Sequence, residues 1–304
     1  MRFWAAIGLA TAAALVGLGA LVGAPSAAAP RPFTTWNETF VDPARPTPAG
    51  ATTPEAPNRT LVTTLYRPAG KGPFPLIVFS HGYDGHPDKF TELLGSWAAA
   101  GYVVAAPAFP LTNASVAREN QNAGDVASQP GDVQFVLSQV LQEARRKGTR
   151  LSGAIDRRHI GAAGLSLGGL TTYGVTFDDC CRDPRFTAAM VLDGISAPLG
   201  GPDDQLRFDG HIPLLIAHSD TDPAIPFSTA RSAYDSAAAP VWFVTFHGAS
   251  HATQWENDPT PYDAIGERLT VDFWNATLRG RKAAYAALDR DATVANLSSI
   301  ESRR

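Results

Sequence analysis

Short apolar runs alternate along the chain with segments of helical character. Strand–helix alternation of this kind predicts an α/β fold in which a mostly parallel sheet carries helices on both faces. Seven runs are predicted as strands: 60–66, 76–79, 102–105, 160–163, 189–192, 214–217 and 241–246. Five segments are predicted as helices: 88–100, 132–146, 170–177, 228–237 and 262–278. Ligands of such sheets bind beyond the carboxyl ends of the strands, so we look for the functional residues there.

The two ends of the chain lie outside this alternation. Residues 1–29 combine Arg2, a long apolar stretch and a run of small residues, which predicts a secretory signal peptide. The stretch is also long enough for an uncleaved membrane anchor, and both interpretations imply export to the cell envelope or beyond. Residues 30–58 are rich in Pro, Thr and Ala and predict an irregular segment that could include one edge strand. We expect residues 59–304 to form one domain whose end, 281–304, begins as a helix and then frays.

Composition narrows the classes of function. The 304 residues carry a formal net charge of −4, and the basic residues form no run, so nucleic-acid binding is not expected. We expect a monomer. The only cysteines, Cys180 and Cys181, are adjacent and would form either a vicinal disulfide or two buried thiols. Their spacing does not fit a C-x-x-C redox motif.

The most informative motif is Gly164-Leu165-Ser166-Leu167-Gly168, which lies between a predicted strand and a predicted helix. A G-x-S-x-G sequence in this context is a nucleophile elbow. The glycines permit a sharp turn that exposes the serine, and the following helix N-terminus lies close to any developing negative charge. We therefore predict that Ser166 is a nucleophile.

In an elbow arrangement an acid and then a histidine follow the nucleophile along the chain. Asp222 follows the predicted strand 214–217 in the rigid sequence Asp-Pro-Ala-Ile-Pro, and we predict that it is the acid. Asp193, which follows the strand 189–192, is the alternative. Asp220 is expected to hydrogen-bond the backbone of its own turn.

The base is predicted from the late histidines. His251 lies in a loop of small residues beyond the strand 241–246, and it would accept the proton of Ser166 while Asp222 holds its tautomer. His247, at the end of that strand, and His81, which precedes the nucleophile, are expected to be structural.

An oxyanion site is predicted where the apolar run 75–80 opens into a Gly-rich loop. The backbone N–H groups of Tyr83 and Leu167 are the predicted donors. Tyr83 and Trp255 are predicted to line the substrate cleft. No metal is expected, because His86, Asp203 and Asp204 lack the spacing of a ligand set.

The segments 73–82, 101–107 and 164–169 together resemble the α/β-hydrolase superfamily. Within it the chain is similar to the secreted bacterial serine esterases grouped near dienelactone hydrolases, platelet-activating-factor acetylhydrolases, chlorophyllases and cutinase-like polyester hydrolases. The resemblance implies the α/β-hydrolase fold, the Ser166–Asp222–His251 triad and the oxyanion amides of Tyr83 and Leu167. Little room for a lid remains between the strands 189–192 and 214–217.

The expected function is that of an exported serine hydrolase that cleaves small or lipid-like carboxylic esters through an acyl-enzyme without a cofactor. The alternatives are an acyltransferase that uses the same triad on envelope sugars or alcohols, and a cutinase-like polyester hydrolase. A non-catalytic envelope protein on the same scaffold is the remaining hypothesis. The sequence does not distinguish the acyl chain or the alcohol of the substrate.

Overall fold

The computed structural model of the protein describes residues 30–201 and 203–304, so the predicted signal peptide lies outside the described residues. In this part of the chain nine strands form one sheet. They are β1 (Phe33–Asp42), β2 (Arg59–Pro68), β3 (Phe74–Ser80), β4 (Val103–Ala108), β5 (Ile155–Leu165), β6 (Ala188–Leu192), β7 (Leu214–Ser219), β8 (Val241–Phe246) and β9 (Ser298–Arg303). Arg31–Arg304 forms one compact unit.

The strand order is β1-β2-β4-β3-β5-β6-β7-β8-β9. The six strands from β4 across to β8 pair in parallel, whereas β1, β2 and β9 are antiparallel to their neighbours. The predicted mostly parallel sheet is confirmed. Each of the seven predicted strands coincides with an observed strand to within a few residues at its ends, except that β5 begins five residues earlier than predicted.

Helices cover both faces of the sheet, as predicted. Within the described residues the α-helices are α1 (Thr91–Ala99), α2 (Gln129–Arg145), α3 (Leu167–Phe177), α4 (Phe227–Ser236), α5 (Asp263–Thr277) and α6 (Lys282–Asp291). Alternate residues of β3 point to opposite faces of the sheet. Ile77 and Phe79 pack in the core that includes α1, α5 and α6, whereas Leu76 and Val78 pack in the core that includes α2. Burial on both faces explains why these strands are continuous apolar runs.

The two edges of the sheet are formed by strands outside the seven predicted ones. The segment 30–58, expected to be irregular but to have room for one edge strand, does contain an edge strand, the ten-residue β1, which pairs with β2 along its whole length. The prediction that the C-terminus frays is wrong, because Ser298–Arg303 returns as β9 and pairs with β8. This strand is mostly polar, and its one hydrophobic residue, Ile300, packs against the core. The pairing partner rather than an apolar pattern therefore determines its structure.

The connection between β6 and β7 is the segment for which the sequence predicts little room for a lid. Between β6 and β7, the described residues 193–201 and 203–213 form no helix, in agreement with the expected lack of a lid. None of the described helices combines the length and the apolar character needed to span a bilayer.

Candidate active site

Ser166 lies at a strained turn between β5 and α3. Its backbone has φ 55° and ψ −116°, a conformation that residues other than glycine rarely adopt. The flanking glycines are required by close packing. A Cβ atom at Gly164 would lie 2.1 Å from the carbonyl oxygen of Gly168, and one at Gly168 would lie 2.0 Å from that of Ser80. The turn therefore has the geometry of the predicted nucleophile elbow.

The predicted oxyanion loop runs beside this turn. A Cβ atom at Gly82 would lie 3.1 Å from the Cβ of Ser166 and 3.7 Å from its Oγ, so the backbone that leads into Tyr83 passes next to the nucleophile. Leu167 is the first residue of α3, where an N–H has no acceptor inside the helix. In residues 30–201 and 203–304, no backbone carbonyl accepts from the N–H of Tyr83 or of Leu167. Both donors are available to a ligand.

His81 fixes the start of the oxyanion loop. Its imidazole is buried, its Nδ1 lies 2.7 Å from the carbonyl oxygen of Gly82, and its Nε2 accepts the N–H of Phe109 at 3.0 Å. Burial lowers the pKa of His81 to about 4, so the ring is neutral and donates through Nδ1. These contacts give His81 a structural role, as expected from its place in the chain.

Asp222 and His251 form a short acid–base pair. The Nδ1 of His251 lies 2.6 Å from the Oδ2 of Asp222. The other oxygen of Asp222 accepts the backbone N–H groups of Ala224 and Ile225 at 2.7 and 2.9 Å. The carboxylate is fully buried, whereas the imidazole keeps a fifth of its surface exposed. The turn that follows β7 thus orients the acid, and the acid orients a histidine that solvent can reach.

The neighbouring pair of Asp220 and His247 is separate from this one. Asp220 accepts from the Nδ1 of His247 at 2.8 Å and from the N–H of Gly248 at 2.8 Å. It was expected to bind the backbone of its own turn, but it binds the loop after β8 instead. The Nε2 of His247 contacts the hydroxyl of Ser299 on β9 at 3.0 Å. These contacts attach the chain end to the loop beyond β8.

Asp193, the alternative acid, is occupied by other donors. It is fully buried at the end of β6 with φ 41°. It accepts the N–H of Ser219 at 2.9 Å, the Nε2 of Gln254 at 2.5 Å and the Nε1 of Trp255 at 2.7 Å. Burial raises its pKa, and the nearby imidazole of His218, together with the N–H groups of Ser219 and Trp255, partly offsets that effect. Asp193 therefore anchors the loop that carries His251 and does not hydrogen-bond the imidazole itself.

The two predicted cleft residues have different surroundings. Tyr83 keeps 45% of its surface exposed beside Ser166. Trp255 is only 2% exposed, and its ring packs against Phe246 in the core. The expectation that Trp255 contacts substrate does not match this position, because its indole N–H is committed to the buried carboxylate of Asp193. Sequence patterns could not reveal that partner, which lies 62 residues away.

Ser166 and His251, the predicted nucleophile and base, are not joined by a hydrogen bond, and the hydroxyl of Ser166 makes no hydrogen bond to the residues that the structure describes. This contact is often long in ligand-free enzymes and shortens when substrate binds. The chemistry open to the arrangement is nucleophilic attack by a serine with histidine as the base. The elements that support it all leave the carboxyl ends of parallel strands.

The structure also joins Cys180 and Cys181 by a disulfide bond, which leaves no thiolate beside the neighbouring carboxylates Asp178 and Asp204. A second cluster of potential ligand atoms comprises Asp193, His218 and Asp222. There both carboxylates already accept several N–H groups, so hydrogen bonding accounts for the cluster.

A family model described as Chlorophyllase matches residues 36–219, more than half of the chain. The chain belongs to the chlorophyllase family. This family has the α/β-hydrolase fold and consists of ester hydrolases, so the protein is an α/β-hydrolase of the carboxylic ester hydrolase type. The match begins three residues inside β1, includes β2 to β7 and Ser166, and ends three residues before Asp222. No curated protein matches the chain.

Proposed function

We propose that the protein is an exported serine hydrolase that cleaves carboxylic esters through an acyl-enzyme on Ser166. The observation that carries the proposal is the 2.6 Å hydrogen bond between the buried Asp222 and the partly exposed His251, at the sheet edge where Ser166 occupies a strained elbow. Membership of an ester hydrolase family supports the same reaction class.

In the proposed mechanism the Nε2 of His251 accepts the hydroxyl proton as the Oγ of Ser166 attacks the ester carbonyl. The N–H groups of Tyr83 and Leu167, with the N-terminus of α3, stabilise the negative charge on the tetrahedral intermediate. The imidazolium then gives its proton to the leaving alcohol. A water molecule, activated by the same imidazole, hydrolyses the acyl-enzyme and restores Ser166. Throughout, Asp222 holds the Nδ1–H tautomer and stabilises the imidazolium.

Export is proposed from residues 1–29, whose sequence has the features of a signal peptide. The proposed domain arrangement is this leader, the entry segment 30–58 and one hydrolase domain over 59–304. Amino-terminal sequencing of the secreted protein tests it: a mature chain that begins near residue 30 is expected, and a retained leader would contradict cleavage.

The reaction is tested by hydrolysis of short-, medium- and long-chain p-nitrophenyl esters. Ser166→Ala should lower kcat by about 10⁴- to 10⁶-fold, because triad members act as a unit. Ser228→Ala is the matched control, since this serine is exposed on α4 and should leave activity unchanged. Retention of more than a tenth of the activity in Ser166→Ala would contradict the proposal.

A further inference from the structure

His218 lies behind the proposed acid, on the side away from solvent. It is the second-last residue of β7, and its side chain is fully buried. Its Nε2 lies 3.0 Å from the carbonyl oxygen of Ile225 and 3.5 Å from the Oδ2 of Asp222. A carbonyl oxygen can only accept, so this nitrogen carries the proton. The imidazole therefore contacts the turn 222–226, the acid turn, from its buried side. The carboxylate of Asp222 stabilises the same turn by accepting the N–H groups of Ala224 and Ile225.

The second nitrogen of His218 has no hydrogen-bond partner among the described residues, although it is buried. The nearest carboxylate oxygen is the Oδ1 of Asp193, at 4.0 Å. A buried unpaired nitrogen costs free energy that an apolar side chain at the same place would avoid. The ring of Phe227 packs edge-on against the imidazole and limits its rotation. The packing thus favours contact of the Nε2 with the acid turn at the expense of the other nitrogen.

His218 lies between two sets of polar contacts. On one side, its Nε2 lies next to Asp222, which binds His251. On the other side, its Nδ1 faces Asp193 at 4.0 Å, and Asp193 accepts from Gln254 and from its neighbour Trp255, three and four residues beyond His251. His218 is therefore placed between the acid that orients the base and the acid that anchors the loop of the base.

We propose that His218 is a positioning residue for the catalytic acid: its Nε2–H fixes the acid turn from the buried side, so that the Oδ2 of Asp222 stays directed at the Nδ1 of His251. The inference rests on the proposed function, because it gives Asp222 the role of the triad acid. It adds a residue that does not contact the reacting atoms and acts through Asp222.

Two substitutions separate this role from plain stability. His218→Gln keeps an amide donor near the position of the Nε2, whereas His218→Asn keeps one only near the Nδ1. Both remove the ring, so both should lower the Tm. We expect His218→Asn to lose about 10-fold in kcat with KM within about 2-fold, because a displaced catalytic group lowers turnover more than binding. His218→Gln should retain kcat to within about 3-fold. Titration of active sites with a fluorophosphonate corrects each rate for the folded fraction.

A double-mutant cycle with Asp222→Asn tests whether His218 acts through the acid. Asp222→Asn alone should lose about 10⁴-fold in kcat, as loss of a triad acid does elsewhere. Adding His218→Asn should then cause no further loss. A further 10-fold loss in the double variant, or equal rates for His218→Gln and His218→Asn, would overturn the inference.

The outcomes also separate the two proposals. If Asp222→Asn retains activity, the proposed triad fails; if Asp222→Asn is inactive and His218→Asn has wild-type kcat, only the positioning role fails. Should His218→Asn not fold, His218→Gln decides alone, since a loss above 10-fold in spite of its donor contradicts the role.

Discussion

Two neighbouring strands of the sheet end in residues with positive φ, Ser166 after β5 and Asp193 after β6. The two turns touch, because a Cβ atom at Gly169 would lie 2.7 Å from the Cα of Gly194. Their side chains differ completely in environment. Ser166 is partly exposed and its hydroxyl has no partner among the described residues, whereas Asp193 is fully buried and accepts three N–H groups. A positive φ therefore exposes the proposed nucleophile in one turn and accompanies a buried carboxylate in the other.

The largest effect predicted by this comparison is a loss of activity without a loss of stability. Ser166→Ala removes a hydroxyl that makes no hydrogen bond in the described structure, so its Tm should stay within about 2 °C of the wild type while kcat falls by the orders of magnitude given above. Thermal unfolding followed by circular dichroism checks it. A drop of about 10 °C would mean that the hydroxyl stabilises the turn, and the contrast with Asp193 would be lost.

Asp193→Asn should show the reverse pattern. In either orientation the amide N–H₂ group would face at least one of the three buried N–H donors, which leaves that donor unpaired and should lower the Tm by about 5 °C. Loosening of the His251 loop should lower kcat by about 10-fold. The measurement pairs thermal unfolding with ester hydrolysis, and Asp222→Asn is the matched variant. Loss of activity as severe as in Asp222→Asn, at unchanged Tm, would make Asp193 the catalytic acid instead.

A smaller effect is expected for Trp255→Phe. This change removes one donor to Asp193 and keeps an aromatic ring in the core, so the Tm should fall by a few degrees, roughly 3 °C, at unchanged KM. Comparison of KM for short- and long-chain esters checks that the ring is remote from substrate. A rise in KM at constant Tm would instead indicate that Trp255 contacts substrate, as the sequence analysis predicted.

The smallest effect concerns Asp272, a carboxyl group remote from both turns. It shows what burial does to the pKa of an acid outside the site. Burial, with a shared hydrogen bond to Asp291, raises the pKa of Asp272 to about 7. The folded state therefore retains a proton that the unfolded chain releases near pH 4, so the contribution of Asp272 to stability is fully present below that pH and is lost as the pH rises through 7. Asp272→Asn should reduce the fall in Tm between pH 5 and pH 8. An unchanged pH dependence would mean that the carboxyl pair does not share a proton.

The sequence could predict those features that depend on local pattern. The elbow glycines, the Asp-Pro-Ala-Ile-Pro turn and the small-residue loop before His251 each occupy a few consecutive residues. The alternation of apolar runs likewise predicted the central strands, because burial on both faces leaves few polar positions in them.

The sequence could not predict the polar contacts that surround Asp193 and Asp222 in the folded protein. The partners of Asp193 lie 26, 61 and 62 residues away along the chain, so only the folded sheet brings them together. The burial of Gln254 has no local signal, since a glutamine in this loop would be equally compatible with an exposed position. The strand β9 was missed for a related reason, because its pairing with β8 replaces the apolar pattern that other strands show.

The central claim is that Ser166 is a nucleophile activated by His251. Its most direct test is incubation of the protein with a fluorophosphonate, followed by mass analysis of the peptides. One adduct per chain is predicted, on the peptide that contains Ser166, and His251→Ala should slow its formation by at least about 10³-fold. An adduct on another residue, or labelling that is absent in the wild type or equally fast in His251→Ala, would contradict the claim.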